Sequence, residues 1–167
     1  RLPLSLMPTV TLCIPARLAS TRLPRKVLLD LGGKPVFQHV WERARQVRQA
    51  DRVVVLTDAD EVAEVARGFG AEVLMTDPAC PSGTARMASV IERLPGDFFL
   101  NVQGDEPFID PALLDGLITR WQDTRCALVT AVARITTAER LLAASVVKVV
   151  RAENGEAIYF SRSPIPH

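Results

Sequence analysis

Between Val10 and Trp121, apolar runs of strand length alternate with segments of helical period, and this alternation leaves few folds open to the chain. Val10 to Ala16, Arg52 to Thr57, Ala71 to Met75 and Phe98 to Val102 are nearly continuous in apolar residues, as strands buried on both faces must be. Between the first two, Val36, Phe37, Val40, Trp41, Ala44 and Val47 recur on one face of a helix. Asp58 to Phe69, Ala85 to Leu94 and Pro111 to Trp121 read as further helices, the last with Pro in its first turn. Strand and helix in strict succession predict an α/β fold: a mostly parallel open sheet with right-handed crossovers and helices on both faces.

The last quarter changes character. Ala127 to Ile135, Val146 to Arg151 and Ala157 to Phe160 read as strands, the last two joined at Glu153-Asn154-Gly155, which predicts a C-terminal β-hairpin extending the sheet. With 167 residues, 48% hydrophobic against 23% charged, residues 1–167 read as a single domain with a sizeable core. Because SRSPIPH follows a strand without a closing helix, that domain reads as cut short at its C-terminal end.

Several classes are disfavoured. A net charge of +1 gives no general attraction for nucleic acid or an anionic membrane. No apolar run reaches the roughly 18–20 residues that span a bilayer. The opening RLPLSLMP lacks the apolar core and small-residue cleavage site of a secretory signal. Cys13, Cys80 and Cys126 form no CxxC or Cys/His spacing, so reduced thiols, no zinc and a cytoplasmic location are expected.

Charge is concentrated locally. Arg17, Arg22, Arg25, Lys26 and Lys34 crowd the stretch after the first strand, where an open α/β sheet places its ligands. In Pro15 to Lys26 the cations Arg17, Arg22 and Lys26, with the Ser20 and Thr21 hydroxyls, suit a triphosphate; a solvated basic loop is the alternative. Asn101-Val102-Gln103-Gly104-Asp105-Glu106-Pro107 ends the fourth strand, and Asp105 there suits magnesium shared with phosphate oxygens, or a helix cap, or a turn shaped with Gly104. Ser82, Gly83 and Arg86 stand at a loop-to-helix junction suited to nucleotide contacts, although an ordinary cap by Ser82 or Thr84 explains it equally well. His39, beside Val40 and Trp41, reads as structural.

The segments IPARLASTRLPRKVL, GGKPVFQHV, PSGTARM, NVQGDEP and YFSRSPIP occur in that order across nearly the whole chain. Together they resemble the CMP-Kdo synthetase family of cytidylyltransferases, with IPARxxSTRLPxKxL, GKP, QSGTxR, NVQGDEP and YFSRxxIP. The resemblance implies a nucleotide-diphospho-sugar transferase-like fold and a magnesium-dependent reaction. In it the anomeric hydroxyl of 3-deoxy-manno-octulosonate (Kdo) attacks the α-phosphate of CTP, giving CMP-Kdo and pyrophosphate for lipopolysaccharide precursor synthesis. It places Arg17, Ser20, Arg22 and Lys26 on the triphosphate, and Ser82, Gly83, Arg86 and Gln103 by the nucleotide. Asp105 becomes the metal ligand, and Gln103 and Arg162 face the sugar. Arg17, Lys26 and Asp105 are then the catalytic groups.

Departures from the family are Arg25 and Val27, where Gly and Pro are common, and Ala85 in place of Glu. Family members also continue into sugar-binding and dimerisation elements and a second metal carboxylate. A homodimer is therefore implied for the full-length protein, and the chain itself is expected to bind nucleotide better than it turns over. A CMP-sialate or other acidic-sugar cytidylyltransferase, and a non-catalytic truncated nucleotide-binding module, are the rival readings.

Overall fold

The computed structural model describes residues 8–18 and 23–165. Where the sequence reads as one domain, the chain divides into two compact units, Arg1–Val129 and Thr130–His167.

In the first unit β1 (Val10–Pro15), β2 (Arg52–Thr57), β3 (Glu72–Met75) and β4 (Phe98–Asn101) form a parallel sheet in the order β3-β2-β1-β4. Its register sets Thr11 opposite Arg52, Val10 opposite Phe98 and Val54 opposite Glu72. Because side chains alternate along a strand, Leu12, Ile14 and Val55 enter one core while Cys13, Val54 and Leu56 enter the other.

Helices α1 (Val36–Ala44), α2 (Asp60–Gly68) and α4 (Pro111–Thr124) cover the first face through Phe37, Val40, Val62, Ala66, Leu114 and Ile118. Each large apolar side chain buried this way contributes about 1.5–3 kcal/mol. Helix α3 (Gly83–Ala88) and the 3₁₀ turn Ile91–Arg93 serve the second face, where Met87, Val90 and Leu94 pack. The helix expected to run to Leu94 stops at Ala88, and the Ser89 hydroxyl donates to the Arg86 carbonyl at its end.

The amino end of the sheet is closed by polar side chains. Asp97 and Asp51 accept from the N–H groups of Thr9 and Val10, each at 2.8 Å, and the Thr11 hydroxyl donates to the Pro95 carbonyl at 2.6 Å. Buried Asp115 of α4 accepts from the Arg48 and Gln49 N–H groups, fixing the turn before β2. The carboxyl end is left to the loops.

In the second unit β5 (Lys148–Arg151) and β6 (Ala157–Ser161) pair antiparallel. The predicted hairpin is therefore present, but it is a two-stranded sheet of its own and does not extend the parallel one. The strand expected at Ala127 to Ile135 is absent, since an apolar, β-branched run becomes a strand only when a partner takes up its backbone groups. An unforeseen helix, α5 (Ala138–Leu142), starts where the Thr137 hydroxyl accepts from the Arg140 N–H. Lys148 is buried, its ammonium donating to the carbonyls of Ala143 and Arg162. Among the described residues no helix is long and apolar enough to cross a membrane.

Candidate active site

The order β3-β2-β1-β4 reverses direction at β1, so the loops after β1 and β4 leave from neighbouring carboxyl ends. In open α/β sheets that crevice is where ligands bind. Two glycines let the loops close on it. A Cβ on Gly104 would lie 2.7 Å from the Pro15 carbonyl oxygen, so the loop after β4 rests directly on the end of β1. A Cβ on Gly83 would meet the Pro15 ring at 3.2 Å and the Gln103 amide at 3.4 Å, so the start of α3 packs against both.

Onto this platform the loops project charge. The Lys26 ammonium donates to Asp105 at 2.9 Å, joining the loop after β1 to the loop after β4. Lys26 opens the 3₁₀ turn Lys26–Leu28, and Val27, at a position where the resembling family commonly has Pro, is anchored in the main core. Arg25, at a position where that family commonly has Gly, adopts a left-handed backbone with φ 57°. Its N–H donates to the Leu18 carbonyl at 3.1 Å, tying the neck of the loop, and its side chain pairs with Glu61.

Arg17 is exposed at the start of that loop, while Ser20 and Arg22 lie outside the described residues. Asp105 does not cap a helix: Asp110 caps α4, accepting from the Ala112 N–H. Ser82 does cap one, its hydroxyl accepting from the Ala85 N–H at 3.0 Å. Arg86, placed by the sequence beside the nucleotide, is 1% exposed, and its guanidinium donates to Asp58 and Thr76. Arg162 belongs to the second unit, where its guanidinium donates to the Ala144 carbonyl at 3.0 Å.

Three polar residues around these side chains were given no role by the sequence reading. Asn101 donates to the Thr84 hydroxyl at 3.2 Å and accepts from the Gln103 amide at 2.9 Å, linking the end of β4 to α3. Asp58 and Thr76 immediately follow β2 and β3. The signal for all three was position, since each is a polar residue at a strand's carboxyl end.

Cys13 and His39 are both taken up structurally. Cys13 is buried in β1, and burial pushes its thiol up to about 12, far from the thiolate needed for attack. His39 Nε2 donates to the Leu31 carbonyl at 2.7 Å, matching its structural reading.

An open parallel α/β domain with a cation–carboxylate pair at its switch point is the class that fold and site define. The chain belongs to the cytidylyltransferase family, whose model matches residues 11–167. It is 46% identical over 159 residues to a 3-deoxy-manno-octulosonate cytidylyltransferase of Actinobacillus pleuropneumoniae serotype 7, covering 93% of this chain and 63% of that protein. A Geobacter sulfurreducens protein of the same name is 46% identical over 94% of this chain and 63% of its own length. The chain thus spans 63% of the length of these relatives. Among solved structures, CMP:2-keto-3-deoxy-manno-octonic acid synthetase complexed with CTP matches with a TM-score of 0.86 at 39% identity, over 95% of this chain and 66% of that one. A cytidylyltransferase from Leptospira borgpetersenii matches with a TM-score of 0.60 at 26% identity, over 71% and 51% of the two chains.

Proposed function

We propose that the chain carries the CTP-binding part of an enzyme that transfers CMP to the anomeric hydroxyl of Kdo. The observation that carries this reading is the meeting of Lys26 and Asp105, 2.9 Å apart, at the β1/β4 crevice. The names of its relatives and the CTP bound by its structural neighbour support the same substrates.

Phosphoryl-group transfer of this kind asks for positioning and charge neutralisation more than covalent help from the protein. Arg17 and Lys26, with Ser20 and Arg22, hold the β- and γ-phosphates and stabilise the pyrophosphate as it leaves. Ser82 and Gly83 line the nucleotide, and Gln103 stands between nucleotide and sugar. The anomeric oxygen forms a bond to the α-phosphorus, the bond from that phosphorus to the bridging oxygen breaks, and the hydroxyl proton passes to solvent.

Magnesium fits the donors present. Asp105 offers an exposed carboxylate that would hold the ion, with phosphate oxygens and water as the further ligands magnesium favours. When bound, the ion supplies charge neutralisation at the α-phosphate. A cytoplasmic location and a homodimer of the whole protein belong to the same proposal. Calorimetric titration with CTP tests it: selective, magnesium-dependent binding supports the reading, and indifference to CTP overturns it.

A further inference from the structure

We propose that Arg86 is a positioning residue of the nucleotide site, acting through Asp58 and Thr76 and not by touching the nucleotide. This rests on the reading of the site given above.

Arg86 is the largest side chain buried completely among the described residues, with 1% of its surface exposed. Its Nη2 donates to Asp58 Oδ2 at 2.7 Å and its Nη1 to the Thr76 hydroxyl. Asp58 follows β2 and Thr76 follows β3, and the Thr76 N–H donates to the Thr57 carbonyl at 2.9 Å. One guanidinium therefore clamps α3 to the carboxyl ends of two strands.

What α3 carries gives the clamp its purpose. Three residues before Arg86, Gly83 stands against the Pro15 ring and the Gln103 amide, and Thr84 accepts from Asn101. A shift of the guanidinium is thus passed to the surface where the loops after β1 and β4 meet. Burying a charged pair is a poor way to gain stability, because well-packed apolar residues of similar volume often serve as well or better. Fixing one position for α3 is something apolar packing does less sharply. With 1% of its surface exposed, Arg86 presents almost nothing for a ligand to touch directly.

The test uses Asp58→Asn and Thr76→Val, with CTP affinity measured by calorimetry in magnesium, at a temperature where circular dichroism shows each variant folded. CTP affinity is expected to fall about tenfold in both, a loss of about 1.4 kcal/mol of binding free energy, and the Gly83 amide resonance is expected to move. Unchanged affinity in folded variants overturns the proposal and leaves Arg86 a stability element. Tighter binding by Asp58→Asn also overturns it, because a guanidinium released from its counter-charge would then be contacting the nucleotide. If Asp58→Asn does not fold, Thr76→Val, which removes only one acceptor, decides the matter. Failure of the unaltered chain to bind CTP is a separate result, and it removes both the site and its positioning residue.

Discussion

The ammonium of Lys26 lies 2.9 Å from the Asp105 carboxylate, and neither side chain is deeply buried, with 41% and 43% of their surfaces exposed. An ion pair so open to water contributes at most about 1 kcal/mol to folding. Lys26→Met and Asp105→Asn are therefore each expected to change unfolding free energy by less than about 1 kcal/mol in urea titrations. A loss of several kcal/mol in either would make the pair a structural strut.

Gly104 and Gly83 differ in what surrounds them. A Cβ at Gly104 would press on the backbone oxygen of Pro15 at 2.7 Å, and backbone cannot step aside cheaply. Gly104→Ala should cost about 1–3 kcal/mol, the range for overpacking. At Gly83 the nearest atoms are side-chain atoms at 3.2–3.4 Å. Gly83→Ala should cost less, and denaturation midpoints in the reverse order would refute the packing described at Pro15.

Arg25 is held at φ 57°, where a side chain raises the energy by about 1–2 kcal/mol. Gly would relieve that strain, lose the exposed pair with Glu61, and add chain entropy to the unfolded state. These effects nearly cancel, so Arg25→Gly should leave stability within about 1 kcal/mol. Arg25→Val, β-branched at a positive φ, should be clearly less stable than both. Thermal melts that rank Val level with Gly would contradict the left-handed backbone.

Burial raises the Cys13 thiol from 9.0 to about 12. The unfolded chain therefore releases this proton at a lower pH than the folded one. The thiol's contribution is fully present below pH 9.0 and is lost as pH rises from there towards about 12. Cys13→Ala should flatten the alkaline fall in stability, and Cys13 should resist thiol reagents at pH 8 until the chain unfolds. Rapid labelling of the native protein at Cys13 would be inconsistent with its place in the core.

Most of the first unit was legible because its strands are buried on both faces. Arg52–Thr57 coincides with the β-branched run that predicted it, and β1, β3 and β4 end within one residue of theirs. Periodicity fails where a partner decides the outcome. Ala127 to Ile135 has strand composition but no ladder, and Thr137, an ordinary capping residue, marks the helix that was missed. In the site, chain order placed Lys26 and Asp105 on the loops that bring them together. Arg86 was recognisable as a guanidinium at a useful junction. Its partners Asp58 and Thr76 are 28 and 10 residues away in sequence, and no local pattern reports such contacts.

The most direct test of the nucleotide site is calorimetry with CTP and ATP, with and without magnesium, on this chain and on Lys26→Ala. Loss of a charge-assisted hydrogen bond worth about 1.5–3 kcal/mol corresponds to roughly tenfold or more in affinity. The expected result is CTP-selective binding that weakens without magnesium and falls at least about tenfold in Lys26→Ala. Binding that ignores the base, the metal and Lys26 alike would contradict a cytidylyltransferase site at the β1/β4 crevice.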